Sequence, residues 1–175
     1  MTLKHFTVII LCLLVAGCGY HVTGSGVSLP EGVGKVHVAL FENPTRKPYL
    51  DSIVTDSISW RLLQLHNIEL TEDADAADAI LDGVVTQYNL SVSAYDAADA
   101  IQAYRVTMRV TAKLTRAKDG KILWRGEAIR FQDFVSSGAN ISEQEGLEVD
   151  ARKKVAERLA EDLSWQLASG FGDEP

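Results

Sequence analysis

The sequence predicts an α+β fold: a two-layer sandwich in which two helices pack on one face of a four-stranded mixed sheet, in the order β-α-β-β-β-α. Three observations carry this. Two runs, near 49–66 and from Ser142 to about residue 169, place apolar residues every three or four positions, the spacing of an amphipathic helix. Three other runs, 80–95, 103–115 and 121–135, alternate apolar with polar residues, the period of a half-buried strand. Two helices can cover only one face of a sheet, so the other face must be polar, and the alternation supplies it.

In chain order, Val36-His37-Val38-Ala39-Leu40-Phe41 is short, β-branched and nearly all apolar, which predicts a strand buried on both faces. Asn43-Pro44 and Lys47-Pro48 then punctuate a loop. Leu50, Ile53, Val54, Ile58, Leu62 and Leu65 form the apolar stripe of the first helix, with His66-Asn67 as its stop. Ile68-Glu69-Leu70 resumes extended structure, and Ala74 to Asp78 reads as an acidic connector or one helical turn. The first strand–helix–strand unit should run parallel with a right-handed crossover, and the remaining strands should form an antiparallel meander.

In the second strand, Val84, Tyr88, Leu90 and Val92 are expected to share a face, with Gln87, Asn89, Ser91 and Ser93 on the other. The third has the clearest alternation. Tyr104, Val106, Met108, Val110, Ala112 and Leu114 point one way, while Arg105, Thr107, Arg109, Thr111, Lys113 and Thr115 point the other. Asp119-Gly120 predicts a hairpin turn, since both residues tolerate positive φ. From Lys121 to about Val135 the apolar set changes parity between Trp124 and Ile129, which predicts a bulge near Gly126. Ser142 and Glu145 have capping-box spacing. The helix that follows carries Leu147, Ala151, Val155, Leu159, Leu163 and Leu167 as a stripe, with Arg152, Lys153, Glu157 and Glu161 largely off it, and ends at Gly170. At least two of Trp60, Trp124 and Trp165 are expected in the core.

The amino terminus reads as an export signal. Lys4 is the one charged side chain before residue 18, and an apolar run from Val8 to Ala16 follows. That run is too short to span a bilayer, which takes roughly 20 residues. It ends in Leu14-Val15-Ala16-Gly17-Cys18, the pattern of a bacterial lipobox. Small residues let an extended backbone enter a signal peptidase, and the thiol accepts a diacylglycerol. Residues 1–17 are therefore expected to be cleaved and Cys18 acylated, palmitate included. Residues 18–34, rich in Gly, Ser and Thr, should form a flexible lipidated tether, residues 35–171 one domain, and residues 172–175 a disordered tail. Cleavage also removes Cys12, so no intramolecular disulfide is expected. Gly19, where an Asp would signal inner-membrane retention, favours the inner leaflet of the outer membrane.

Without Lys4, 16 basic side chains face 24 acidic ones, a net charge of −8 that argues against nucleic-acid binding. The acid clusters at 69–82, 143–150 and the tail, whereas 102–130 is rich in Arg and Lys. His5, His21, His37 and His66 lack metal-ligand spacing, and neither a nucleophile elbow nor a P-loop occurs. Asp73, Asp75 and Asp78 lack a calcium-loop pattern. No catalytic or metal site is expected.

Several short stretches, in order, carry a family resemblance. Cys18-Gly19-Tyr20-His21 follows the lipobox, and Phe41-Glu42-Asn43-Pro44-Thr45 leads to Pro48-Tyr49-Leu50. Ala77-Asp78-Ala79-Ile80-Leu81-Asp82-Gly83, Tyr104-Arg105-Val106 and Asp119-Gly120-Lys121-Ile122-Leu123-Trp124 complete the set. From Cys18 to about Phe171 the chain resembles the LPS-assembly lipoprotein family, LptE. The resemblance implies two helices on a four-stranded sheet and no cofactor or covalent chemistry. It implies a role as plug and assembly partner inside the LptD outer-membrane β-barrel, expected one to one, with lipopolysaccharide bound on its way to the outer leaflet. Family members use basic residues near strand ends and loops against lipid A phosphates. Here Asp96-Ala97-Ala98-Asp99 and Ser136 to Ile141 hold none, so no contact transfers to those positions.

The candidate contacts for lipopolysaccharide or the barrel wall are instead Arg105, Arg109 and Lys113, extended by Arg125 and Arg130. Arginine suits phosphate because its fork donates two hydrogen bonds at once. The same residues equally suit a solvated sheet face. Two other roles stay open: a stand-alone periplasmic lipid carrier, and a structural lipoprotein of the envelope.

Overall fold

The computed structural model describes residue 29 and residues 32–65, 68–136 and 140–170. The lipobox, most of the expected tether, the His66-Asn67 stop and the 172–175 tail lie outside the described residues. Strand β1 spans Lys35–Val38, helix α1 Leu50–Leu63, β2 Glu69–Leu70, β3 Ala79–Tyr95, β4 Ile101–Arg116, β5 Ile122–Val135, and helix α2 Ile141–Ser169. A 3₁₀ turn, Ala74–Ala76, fills the acidic connector.

The fold is α+β with a mixed sheet, but the sheet has five strands, not four, in the order β2-β1-β3-β4-β5. The extra strand is Glu69–Leu70, parallel to β1 through Lys35↔Glu69 and Val36↔Leu70. Two residues are too short to show a period, so sequence alternation cannot count them. β1 also runs parallel to β3, and β3, β4 and β5 form the antiparallel meander. Flanked on one side by so short a strand, β1 buries only Val36, and His37 and Val38 remain partly exposed, against the expectation of burial on both faces.

β4 behaves as its alternation requires: Val106, Met108, Val110, Ala112 and Leu114 are all buried. β3 does not keep one parity. Its register passes from Val85↔Val110 to Gln87↔Arg109, leaving Thr86 as an extra residue. Val85, not Val84, is therefore buried, and only beyond this bulge do Tyr88, Leu90 and Val92 turn to the inward side, opposite Met108, Val106 and Tyr104.

On β5 the bulge falls at Leu123, because Leu114 pairs with Trp124 and Thr115 with Ile122. Gly126 sits in regular register opposite Ala112. It is glycine for another reason: a Cβ there would stand 2.2 Å from the Trp124 ring that lies over it. Beyond Leu123 parity does not change again, so Ile129 and Phe131 stand exposed on the outward face.

α1 buries Leu50, Val54, Ile58 and Leu62. It starts behind Tyr49, which holds a positive φ of 66° without a side-chain cap. α2 is capped by Asn140, whose Oδ1 accepts from Glu143 N at 3.1 Å, rather than by the expected Ser142 box. Asn caps as well as Ser, and it comes first. Gly170 closes the helix at φ 68°. Beside the expected stripe of Ala151, Val155, Leu159, Leu163 and Leu167 runs a second buried row of Glu148, Arg152, Ala156, Ala160 and Ser164. Arg152 is thus inside, not off the stripe. Leu29 and Phe41 join both helices and the inward side chains of β3, β4 and β5 in one core cluster. Of the three tryptophans only Trp124 is buried.

Gly83 shows how tight the sheet is. A Cβ there would meet the Phe41 ring at 2.3 Å and the Thr111 carbonyl oxygen at 2.4 Å, and the backbone oxygen cannot move aside. Gly83→Ala should therefore cost about 1–3 kcal/mol, read as a lower urea midpoint with an unchanged slope.

Candidate functional site

The outward face of the meander carries four of the five predicted contact residues. Arg105 donates two hydrogen bonds to Asp133, directly across on β5, at 2.7 and 2.9 Å. This fork holds the Asp133 carboxyl below the usual range and raises the Arg105 guanidinium. The Arg105 head also lies 4.3 Å from the centre of the Phe131 ring. Arg109 pairs with Glu127, and Lys113 with Asp82 at 3.3 Å on β3. Arg125 stands opposite Lys113 and forms no ion pair among the described residues. Arg130 is placed differently. It points to the inward side of β5, where its Nη2 meets Asp162 of α2 at 2.6 Å. The structure thus brings Arg105, Arg109, Lys113 and Arg125 onto one face and separates Arg130 from them.

The pairs change what that face can do. Three of its four cations are answered by a carboxylate on a neighbouring strand. A shallow groove there, of about 440 Å³, contains Lys113 and Arg125 but also Glu42, Asp82 and Glu127. Charges of alternating sign suit hydrogen bonding to a mixed polar wall better than the gathering of several phosphates. Exposed pairs of this kind contribute little stability each.

Sequence reasoning missed a second cluster, just beyond the β3 bulge. There Tyr88 Oη donates to Glu148 Oε1 at 2.5 Å, and Lys47 Nζ reaches the same oxygen at 2.6 Å. Arg152 Nε lies 3.9 Å away, one turn along α2. The Asn43 loop supplies the lysine: Asn43 Nδ2 donates to Lys47 O, and Thr45 Oγ1 donates to Asn43 Oδ1. Burial alone would push the Glu148 carboxyl up. The hydrogen bonds from Lys47 and Tyr88, with the charges of Lys47 and Arg152, outweigh it and hold Glu148 below the usual glutamate range. Burial and the Glu148 carboxylate push the Tyr88 phenol far up. Arg152 Nε itself is buried with no hydrogen-bond partner among the described residues. The available signal was the spacing of four that links Glu148, Arg152 and Ala156, which a helix turns to one side.

The acidic connector is occupied with the backbone. Asp78 accepts from Gly34 N and Lys35 N at 3.0 and 2.8 Å, and Asp73 accepts from Asp75 N. Among the described residues no group of three or more His, Cys, Asp or Glu is placed to hold a metal ion, and no helix is long and apolar enough to cross a membrane.

The fold class is shared with solved bacterial lipoproteins. The minor lipoprotein of Acinetobacter baumannii superposes with a TM-score of 0.52 at 15% identity, covering 83% of this chain and 100% of that one. The rare lipoprotein B of Shewanella oneidensis does so at 0.51 and 10%, covering 77% and 96%. Lipoprotein B of Nitrosomonas europaea does so at 0.51 and 16%, covering 87% and 95%. Such identities establish the common fold alone. Among curated protein sequences none matches this chain significantly. The LptE lipopolysaccharide-assembly family matches residues 33–168, and the chain belongs to that family.

Breaking the Glu148 cluster should be costly. Glu148→Ala strands the buried Arg152 charge, and a loss of about 3–5 kcal/mol is expected in equilibrium unfolding. The pH dependence follows from the sign of the shift. A carboxyl depressed in the folded state contributes stability that is complete above its unfolded pKa and lost as pH falls through the folded one. Glu148→Gln should therefore flatten the acid limb of the stability curve below about pH 4.3, the unperturbed glutamate value.

Proposed function

We propose that this chain is a non-enzymatic outer-membrane lipoprotein, anchored through Cys18, that plugs and helps assemble an LptD β-barrel in a one-to-one complex and meets lipopolysaccharide in transit. One observation carries the reading: the LptE match over residues 33–168 lies behind a lipobox ending at Cys18. The paired outward face supports the plug role, because a barrel lumen is a wall of mixed polar groups. The interior favours a plug over a carrier. Between sheet and helices, the void lined by Ile58, Leu81, Trp124 and Leu163 is about 10 Å³, too small for an acyl chain. The larger groove between α1 and α2 is open and lined by Arg61, Lys153, Glu157 and Glu161 as well as Trp60.

Extraction in mild detergent should yield the chain tightly bound to a large β-barrel in equal amounts. Recovery of the chain alone with lipid attached would establish the carrier instead, and recovery alone without lipid a structural envelope protein. Cys18→Ala should abolish palmitate labelling and leave an uncleaved precursor. Labelling that persists would place the lipid elsewhere. For lipopolysaccharide contact, Arg125 is the cleanest probe, since among the described residues no ion pair is lost with it. Arg125→Glu should reduce lipopolysaccharide capture at an unchanged melting temperature, and full capture would remove this face from the ligand path.

A further inference from the structure

β5 is the terminal strand of the sheet, and an exposed edge of 14 residues is a template for another strand. The direction of each residue on it is fixed by the β4 ladder. Ser136 N donates to Gln102 O at 2.8 Å, so even-numbered residues of β5 turn their backbone groups toward β4. Odd-numbered ones turn outward, from Arg125 to Val135. Four successive outward carbonyls nevertheless take a side-chain donor. Gln166 Nε2 of α2 reaches Glu127 O at 3.0 Å, and Arg130 Nη1 reaches Ile129 O at 3.2 Å. Arg158 Nη1 of α2 reaches Phe131 O at 3.4 Å, and Gln132 Nε2 reaches Asp133 O at 2.7 Å. Arg130 is itself braced by Asp162.

We propose that these four donors hold the β5 edge closed, and that their removal lets a second copy of this chain pair β5 to β5. The choice of occupant rests on the outward sequence Arg125, Glu127, Ile129, Phe131, Asp133. Antiparallel self-pairing centred on Ile129 sets Arg125 of one copy across from Asp133 of the other, twice, and brings Ile129 against itself. A strand addition of this kind must bring a second backbone up to the outward carbonyls, and in the closed edge four side chains lie across them. The guard keeps the chain single without burying the edge under another element. The inference stands whether or not the barrel is the partner, since it concerns the chain's encounter with itself.

The test uses the full chain in a neutrally buoyant detergent, followed by sedimentation equilibrium. The natural chain should remain at monomer mass. A variant with Arg130→Ala, Gln132→Ala, Arg158→Ala and Gln166→Ala, folded by circular dichroism, should approach about twice that mass with rising concentration. If the fourfold variant fails to fold, Arg158→Ala with Gln166→Ala is measured in its place. Adding Phe131→Pro should restore the monomer, because its outward N–H serves only the new pairing and none of the β4 ladder. A folded guardless chain that stays monomeric overturns the proposal. So does a dimer that survives Phe131→Pro, since it would have formed through another surface.

Discussion

Five side chains on one face of β4, Val106, Met108, Val110, Ala112 and Leu114, are withdrawn from water. β3 and β5 pair along their two sides, while α1 and α2 contribute to the same cluster. Burying side chains of this size stabilises by roughly 1.5–3 kcal/mol each for the larger ones. The devices elsewhere serve this contact. The Thr86 bulge keeps an apolar side chain facing inward on both halves of β3. The small residues Ala156, Ala160 and Ser164 let α2 pack closely, and Arg61 of α1 reaches Ser164 Oγ at 3.4 Å.

Where the apolar row gives out toward the β3–β4 hairpin, the interior turns polar. Tyr88 sits opposite Met108, yet its hydroxyl is satisfied by Glu148, and Glu148 is shared by Lys47 and Arg152. A loop, a strand and a helix are joined there by one carboxylate oxygen. Such a junction specifies geometry more than it adds stability, since each charge brought inside loses its water. It locks the Asn43–Lys47 loop to α2, and through that loop the residues that precede α1.

How much of this was legible in the sequence depended on whether a feature repeats. β4 was fully legible because its alternation is unbroken. The same reasoning failed on β3, because one extra residue at Thr86 inverts every side chain beyond it, and no residue type announces a bulge there. Gly126 suggested a bulge and instead made room for Trp124, a cause that lies in tertiary contact. The cap of α2 was misplaced by two residues because Asn140 and Ser142 are both good caps and only geometry chooses. For the candidate site, periodicity placed Arg105, Arg109 and Lys113 on one face. Their carboxylate partners lie 18 or more residues away on neighbouring strands, and cross-strand register cannot be read from spacing alone. Arg130 was grouped with the wrong face for a related reason: its even-numbered position turns it toward α2.

The length of β3 has a consequence for scale. Seventeen residues at about 3.3 Å each make a strand of about 50 Å once twist and bulges shorten it, whereas α2, at 1.5 Å per residue, reaches about 43 Å. Both exceed the roughly 30 Å hydrocarbon thickness of a bilayer. A body of this length, stood along a membrane normal, would be longer than the hydrocarbon layer is thick. Its Tyr95–Ile101 tip and the start of β1 lie at opposite ends of that length.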